Sequence, residues 1–301
     1  ITVNAEMKSF VNIEEQLATN LKLRGYTEFT PIQKAIMEKE NTGRDAIVSA
    51  QTGSGKTIAF GLSIVSNIPN NNKVKKPPSV LIIAPTRELA LQVQNELDWL
   101  YSKTNICIVS CVGGMDMRTE KRNLKKFPDI ILGTPGRLKD YLERKVINLS
   151  EINVVVLDEA DEMLSMGFKD DLEVIIGETP SDRQTLLFSA TIPDSITRIA
   201  KQYMNEPLEI NAGQRNVGAT NVSHTFFVVK NHNRYETLKR IADMNPDIYG
   251  IVFCRTRLET KEIADMLMQD GYQADAIHGD LSQVQREHVM KKFRKKRLQL
   301  L

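Results

Sequence analysis

Short runs of apolar residues recur along the chain, and stretches long enough for helices separate them. In the first part of the chain the runs occupy residues 45–50, 79–85, 106–112, 129–135, 154–161 and 185–191. Apolar strands that alternate with helices are typical of a parallel sheet that helices cover on both faces. Because crossover connections are right-handed, the carboxyl ends of the strands meet at one edge, where ligands bind. The sequence therefore predicts an α/β fold with a binding edge.

A polar stretch at residues 211–221 interrupts this alternation and predicts a linker between two domains. The alternation then resumes, with apolar runs at 224–230, 248–255 and 273–280 and stretches of helical length near 233–244, 258–270 and 282–297. We expect a first α/β domain at 1–210 and a partial second one at 222–301. The residues 298–301 resemble the start of a further strand, so the second sheet is expected to be incomplete.

Composition narrows the class of protein. The chain has no apolar run of about 18 residues, so a membrane span is not expected. Its amino end lacks the charged and apolar regions of a signal peptide. Three cysteines cannot build a disulfide framework in a chain of 301 residues. We therefore expect buried thiols and a reducing compartment, most simply the cytoplasm.

Charge gives weaker information about partners. A net charge of +2 does not by itself indicate nucleic-acid binding. Basic residues cluster at 291–297, and this cluster has two interpretations. Such a run is typical of a solvated helix face, and it is also compatible with phosphate contact.

The sequence AQTGSGKT follows a predicted strand and precedes a predicted helix, which is the context of a phosphate-binding loop. Gly53 and Gly55 allow the backbone to turn tightly and direct its N–H groups at phosphate oxygens. Lys56 is expected to reach the β- and γ-phosphates, and the Thr57 hydroxyl is expected to bind Mg²⁺. The candidate nucleotide-binding residues of this loop are Ala50, Gln51, Thr52, Gly53, Ser54, Gly55, Lys56 and Thr57. An accidental glycine-rich turn is the alternative, and the strand–loop–helix context argues against it.

A second element of the site is the acidic sequence DEAD, which follows the apolar run VVVL. Asp158 lies at the predicted strand end, where it can hold Mg²⁺ through water. Glu159 can polarise the attacking water, a role that nucleotide binding alone would not need. Ordinary capping is the alternative for these carboxylates, but two in succession, together with the phosphate loop, favour catalysis. The candidate catalytic residues are Glu159, Lys56 and Asp158.

These motifs resemble those of the DEAD-box RNA helicases, and the resemblance covers essentially the whole chain in the family's motif order. It implies two RecA-like P-loop domains with ATP and Mg²⁺ as cofactors. Within residues 10–33, GYTEFTPIQ resembles the family's adenine-reading segment. The resemblance implies that Gln33 binds the adenine edge, that Tyr26 packs on the ring and that Phe10 supports the segment. Taken alone, Gln33 would be expected at the surface, and Phe29 departs from the family's usual proline.

Further segments resemble the family's RNA-contacting motifs. In the first domain they lie at the carboxyl ends of predicted strands, so one edge of the sheet can present them to successive phosphates. The resemblance implies contacts from Pro85, Thr86, Arg87, Gly113, Gly114, Thr134, Pro135, Gly136 and Arg137, and from Arg255, Thr256, Gln283 and Arg286 in the second domain. Aromatic residues make up only 6% of the chain, which favours backbone contacts over base stacking. We therefore expect RNA binding that is independent of sequence.

The segment SAT resembles the family motif that couples hydrolysis to strand separation. The resemblance implies hydrogen bonds from Ser189 and Thr191 to Asp161. His278 is expected to be structural, because no acidic residue is spaced to orient it. The family's last two motifs, which carry the arginines that act on the γ-phosphate, are not found in this sequence. We therefore expect this stretch of chain alone to be poorly active.

The resemblance implies an RNA-dependent ATPase that opens short RNA duplexes or remodels RNA–protein particles. An ATP-gated RNA clamp or assembly scaffold is the alternative: intact Glu159 argues against it, and the absent arginines argue for it. A DNA helicase is disfavoured by the literal DEAD sequence and by the Gln33 segment. The chain resembles the bacterial cold-shock and ribosome-assembly branch of the family. Backbone contacts cannot identify the RNA, however, and partners in ribosome assembly or RNA decay do not follow from any residue.

Overall fold

The apolar runs of the first part of the chain form strands of one parallel sheet. The computed structural model describes residues 14–38, 41, 43–50, 53–68, 76–212 and 222–301. The strands are β1 Ala46–Ala50, β2 Val80–Ile83, β3 Ile108–Cys111, β4 Ile130–Gly133, β5 Val154–Leu157, β6 Gln184–Ser189 and β7 Leu208–Ala212. They lie in the order β3-β4-β2-β5-β6-β1-β7, and each neighbouring pair is parallel. The predicted α/β class with a parallel sheet is confirmed.

The apolar runs do not predict the seventh strand. β7 pairs with β1 at the edge of the sheet and includes Asn211 and Ala212, which the polar pattern places in the linker. The remainder of the predicted linker, 213–221, lies outside the described residues. β7 packs on the core through Leu208 and Ile210, so its apolar residues alternate with polar ones. An alternating edge strand gives no unbroken apolar run, which is the signal that identifies the buried strands.

Helices cover both faces of this sheet. They are α1 Glu15–Leu23, α2 Pro31–Met37, α3 Lys56–Ile64, α4 Arg87–Leu100, α5 Met117–Leu124, α6 Pro135–Glu143, α7 Ala160–Ser165, α8 Lys169–Gly177 and α9 Asp194–Tyr203. Alternate side chains of the central strands enter two separate cores. In β2, Val80 and Ile82 pack with residues of α1–α4, whereas Leu81 and Ile83 pack with residues of α6–α9. Burial on both faces is the reason that the central strands are apolar at every position.

The three cysteines are free thiols, but the expectation of buried thiols is wrong for Cys107 and Cys254, which are only half-buried. Cys111, at the end of β3, is buried, and burial raises the pKa of its thiol to about 12. Within the described ranges, no cluster of histidine, cysteine, aspartate and glutamate residues could hold a metal ion. None of the helices described there is both long enough and apolar enough to span a bilayer.

A second compact unit follows the first, with the division between Val217 and Gly218. Its helices are α10 Arg234–Asp243, α11 Arg257–Gln269 and α12 Gln283–Arg294, close to the three predicted positions. Ala242, Leu267, Ala274 and Leu300 form its main apolar cluster.

The apolar runs of the second unit predict strands, and the structure has isolated parallel bridges instead. Leu300 bridges to Gly250 on one side and to Ala274 on the other. A ladder needs several successive backbone pairs, and here the pairing is confined to residues 299–301 and their neighbours. Residues 224–230 form no strand. Phe226 and Val228 are almost fully exposed there, so nothing described in this unit buries that run.

Candidate nucleotide site and nucleic-acid surface

The phosphate-loop sequence connects the end of β1 to the start of α3. Gly53 and Gly55 have φ angles of 85° and 89°, in the left-handed region that favours glycine. Gln51 and Thr52 lie outside the described residues. α3 begins at Lys56 with Gly55 as its N-cap, so the positive end of the helix faces the loop. The local fold therefore supplies the glycine geometry and the helix terminus that a bound phosphate requires.

An ion pair joins the phosphate loop to the acidic turn. Lys56 Nζ and Glu159 Oε1 are 2.7 Å apart, and the two side chains are only 7% and 12% exposed. Glu159 lies just beyond the end of β5 with a φ of 52°, a left-handed conformation that is uncommon for a residue with a Cβ. A phosphate bound at the loop would compete with Glu159 for the ion pair with Lys56.

Asp158, between β5 and Glu159, has a buried carboxylate. Its Oδ1 has no hydrogen-bond partner in the described part of the chain, and the same holds for Ser54 Oγ. Burial raises the pKa of Asp158 to about 6; Lys56 opposes this shift and Glu159 adds to it. A buried carboxylate oxygen without a partner is costly, and hard oxygen atoms of this kind are the ligands that Mg²⁺ prefers. The Asp158 carboxylate therefore fits a magnesium ion, and the hydroxyl of Thr57, the second residue of α3, stays the predicted second ligand.

Gln33 holds the predicted adenine segment against the phosphate loop. Its side chain is fully buried, so the expectation of a surface position is wrong. Gln33 Oε1 accepts from Thr30 N at 2.9 Å, within the capping box of α2, and Nε2 donates to Gly55 O at 3.3 Å. Thr30 Oγ1 also donates to Ser54 O at 3.2 Å. A capping box explains the burial, because it directs the third residue of a helix back towards its own N-terminus.

The aromatic part of this segment packs on α4. The rings of Tyr26 and Trp99 are stacked, with centroids 5.9 Å apart and planes inclined by 24°. The Arg24 guanidinium lies 4.8 Å from the Trp99 ring centroid. Phe29, at the position where the family usually has proline, is buried in the core. Phe10 lies outside the described residues. The sequence gives no role to Trp99, although it is the only tryptophan of the chain.

The structure brings the SAT segment to the end of the acidic turn. Thr191 donates to Asp161 Oδ2 from its backbone N at 2.9 Å and from its hydroxyl at 2.7 Å. Ser189 Oγ accepts from Asp161 N at 3.3 Å and donates to Thr191 O at 2.6 Å. Burial alone would raise the pKa of Asp161, but the hydrogen bonds from Thr191 and Ser189 outweigh it and lower the pKa. The carboxylate is therefore held in its charged form.

The predicted RNA segments of the first unit lie together at the carboxyl ends of β2, β3 and β4. Arg87 Nη1 donates to Gly113 O at 3.4 Å and so links two of these segments. Thr86 caps α4 by accepting from Leu89 N. Gly113, Gly114 and Gly136 are exposed, Thr134 is half-buried, and Pro85 and Pro135 are buried. The exposed part of this surface is thus mainly backbone.

Arg137, which the sequence predicts as a direct phosphate ligand, makes its side-chain contacts within the first unit here, and its role towards RNA stays a prediction. Its Nη1 donates to Glu120 Oε2 at 3.1 Å and to Tyr141 Oη at 3.2 Å, and its side chain is only 12% exposed. Glu120, on α5, is buried and also accepts from Tyr141 Oη and, at 2.9 Å, from Val112 N. One carboxylate therefore fixes both the start of the Gly113 loop and Arg137.

Sequence reasoning missed Glu120, although a signal was present. Met117 and Leu124 lie three residues before and four residues after it, on the same face of α5, and both pack against the core. An acidic residue on the apolar face of a helix indicates a buried, hydrogen-bonded carboxylate.

The predicted RNA residues of the second unit lie at helix starts. Thr256 Oγ1 accepts from Glu259 N at 3.1 Å and caps α11, while the Arg255 side chain is 76% exposed. Gln283 begins α12, and Arg286 Nη2 donates to Gly279 O at 3.1 Å.

Asp280 lies two residues after His278, which is expected to be structural with no acidic residue spaced to orient it. Asp280 Oδ2 is 3.9 Å from His278 Nδ1, which is too far for a hydrogen bond that would orient the ring.

Comparisons with known proteins agree with this geometry. The profile described as DEAD/DEAH box helicase matches residues 30–199, and the profile described as helicase conserved C-terminal domain matches residues 233–301. The chain is 41% identical over 295 residues to the ATP-dependent RNA helicase CshA of Limosilactobacillus reuteri, covering 97% of this chain and 58% of that one. It is 40% identical over 291 residues to the DEAD-box ATP-dependent RNA helicase CshA of Bacillus subtilis, covering 96% of this chain and 58% of that one.

A solved structure gives the same answer. The crystal structure of a DEAD box protein from Methanococcus jannaschii matches with a TM-score of 0.63 and 38% identity, over 97% of this chain and 78% of that one. This likeness is consistent with RecA-like α/β domains. The chain spans 58% of the length of the two CshA relatives. The profile matches and these identities establish that the chain belongs to the DEAD/DEAH box helicase family.

Proposed function

We propose that the protein is an ATP-dependent RNA helicase that binds RNA through its backbone and couples ATP hydrolysis to local duplex separation. The observation that carries this proposal is a chain of contacts across the acidic turn. It begins at the phosphate loop with the 2.7 Å pair of Lys56 and Glu159, and it ends with the 2.7 Å bond from Thr191 to Asp161. Relatives named as ATP-dependent RNA helicases support the same function.

In this proposal the phosphate site works by exchange of partners. Lys56 leaves Glu159 and binds the β- and γ-phosphate oxygens, so its charge is neutralised before and after nucleotide binding. Glu159 then accepts a hydrogen bond from the attacking water and orients it towards the γ-phosphate. Thr57 and Asp158 hold Mg²⁺, which supplies positive charge to the phosphates when it is bound.

Gln33 is proposed to select adenine while keeping its structural bonds, for which its fully buried amide has to become accessible when the nucleotide binds. A glutamine amide has two acceptor sites on oxygen and two N–H donors. Thr30 N and Gly55 O use one of each, which leaves one acceptor and one donor for the adenine edge. Guanine presents a different pattern on that edge. A bidentate contact discriminates by about 1–3 kcal/mol, so ATP is expected to bind about 5–150-fold more tightly than GTP.

RNA is proposed to follow the loops at the carboxyl edge of the sheet. The exposed glycines and the Arg87 side chain contact phosphates, while Arg137 acts through Glu120 by holding these loops in place. Phosphate contacts carry no base information, so affinity is expected to be nearly independent of RNA sequence and to fall with salt. A cytoplasmic location and partners in ribosome assembly or RNA decay stay predictions.

The test is steady-state phosphate release by the full-length protein, with and without single-stranded RNA. RNA should stimulate release by the parent, and Glu159→Gln should abolish release while ATP binding is retained. Glu162→Gln is the matched control, because Glu162 is an exposed carboxylate on the same turn of chain. Release at the parent rate by Glu159→Gln would show that another group orients the water. Release by the parent that RNA does not change would contradict the RNA-dependent function.

A further inference from the structure

α5 and the turn that follows it carry five cationic side chains at helical spacing. Arg118, Lys121, Arg122, Lys125 and Lys126 are all exposed, and we refer to them as the basic stripe. Their spacing is i, i+3, i+4, i+7 and i+8, which places them along one side of a helix. The last two follow the final helical residue, but their backbone N–H groups still donate to carbonyls of α5. At 1.5 Å per residue the stripe is about 12 Å long.

The charge of the basic stripe is only slightly offset within the described residues, where Asp116, whose pKa is lowered mainly by hydrogen bonds, is also attracted by Arg118. None of its residues makes an ion pair in the described part of the chain. The two carboxylates of the same segment are used elsewhere. Asp116 accepts from the backbone N–H groups of Arg118 and Thr119 at the start of α5, and Glu120 is buried against Arg137.

This arrangement weakens α5 unless an anion lies against it. Arg118 and Arg122, Lys121 and Lys125, and Arg122 and Lys126 are each four residues apart, where like charges repel on a helix surface. Cations in the last turn interact favourably with the helix dipole, but Arg118 stands in the first turn, where a cation is unfavourable. The helix dipole therefore stabilises only the cations near the end of α5. A row of phosphates would neutralise the charge of all five residues.

We propose that the basic stripe is an RNA-binding surface that extends the track beyond the Gly113–Gly114 loop and binds phosphates of the flanking RNA. This inference rests on the proposed RNA function. The stripe is continuous with the track because α5 begins only three residues after Gly114. Glu120 anchors the helix there by accepting from Val112 N and from Arg137.

The chemistry of the stripe favours RNA over other anionic partners. Membrane-surface helices combine cations with an apolar face that enters the lipid, whereas Met117 and Leu124 of α5 pack into the protein core. An acidic protein is the remaining alternative, and the continuity with the loops at the strand ends favours RNA.

The experiment compares two variants that lose the same charge. Each replaces three exposed lysines of the first unit with glutamine, either within the stripe or outside it. The stripe variant is Lys121→Gln, Lys125→Gln and Lys126→Gln, and the control is Lys22→Gln, Lys103→Gln and Lys201→Gln. Fluorescence anisotropy measures the affinity for a short uridine homopolymer, which the loops alone can cover, and for a much longer one, across a range of salt concentrations.

For the longer RNA, the stripe variant should bind more weakly than the control at low salt. Its dependence of log K on log salt should be less steep by about 2, since three phosphates contribute about −0.7 each. Between 50 and 200 mM salt, the parent should therefore lose about 20-fold more affinity than the stripe variant. The affinities of the two variants for the short RNA should differ much less.

Each contrary outcome has its own meaning. Equal salt slopes for the two variants would overturn the inference, whatever happens to thermal stability. Weaker binding of polyglutamate by the stripe variant, with RNA affinity unchanged, would overturn it in favour of an acidic protein. A parent that binds neither RNA would contradict both the proposed function and this inference, whereas equal slopes contradict the inference alone.

Discussion

The buried carboxylate of Glu120 allows a sharp prediction about the loops at the strand ends. Glu120→Ala removes the acceptor for three donors: Val112 N, Arg137 Nη1 and Tyr141 Oη. The Glu120 side chain is 1% exposed and that of Arg137 is 12% exposed, so water cannot fully replace the lost bonds. Removing one member of a buried ion pair costs about 3–5 kcal/mol, because the other charge is left uncompensated.

This cost is measurable as a change in melting temperature. For a unit of 217 residues, 1 kcal/mol corresponds to about 2–4 °C, so Glu120→Ala should lower the Tm by about 6–20 °C. Glu151→Ala is the control, since Glu151 is an exposed carboxylate with no ion pair in the described residues, and it should change stability by less than about 0.5 kcal/mol. Differential scanning calorimetry compares the two variants with the parent.

The same substitution separates the RNA surface from the nucleotide site. Val112 precedes the Gly113 loop, so loss of its bond to Glu120 should loosen that loop and weaken RNA binding. Lys56 and Glu159 make no contact with Glu120 in the structure, and ATP affinity should stay close to that of the parent. The reasoning is refuted if Glu120→Ala has the same melting temperature as Glu151→Ala, or if Glu120→Ala weakens ATP binding and RNA binding equally.

Two further predictions concern the nucleotide site and its coupling. A Cβ on Gly55 would lie 2.6 Å from Gln33 Nε2, so Gly55→Ala should lower ATP affinity by more than tenfold, roughly 1.4 kcal/mol, in calorimetric titrations. Gly43→Ala is the control and should leave ATP affinity unchanged, because Gly43 has a similar left-handed φ but a Cβ there would have no neighbour within 4 Å. Thr191→Val removes the 2.7 Å hydroxyl bond to Asp161 but keeps the backbone bond. A hydrogen bond to a charged group contributes about 1.5–3 kcal/mol, so the number of duplexes separated per ATP hydrolysed should fall by about tenfold or more. An unchanged number would show that this bond does not couple ATP hydrolysis to duplex separation.

The sequence predicts the central strands well because these strands are buried on both faces. β2 and β5 are apolar at every position, which differs from the alternation of polar and apolar faces in an amphipathic surface helix. β7 escapes detection because only alternate residues of an edge strand need to be apolar. In the second unit the apolar runs predict more strands than the structure has. The strand propensity of a run does not show whether another segment lies beside it to form backbone hydrogen bonds.

The motifs identify the residue types of the site, whereas their contacts depend on distant parts of the chain. Lys56 and Glu159 are separated by more than a hundred residues, so their ion pair cannot be inferred from either motif. The inward position of Arg137 depends on Glu120, which belongs to no recognised motif. The burial of Gln33, in contrast, can be predicted from the local sequence. Gln33 lies three residues after the N-cap Thr30, which is the position of the capping-box glutamine.

Strand separation of a short RNA duplex by the full-length protein tests the central claim most directly. The parent should separate a fluorescently labelled duplex in the presence of Mg·ATP and should not do so without nucleotide. Glu159→Gln should bind both ATP and RNA and yet fail to separate duplexes repeatedly. Duplex separation that proceeds equally without ATP, or a parent that hydrolyses ATP with RNA bound but never separates strands, would contradict the account.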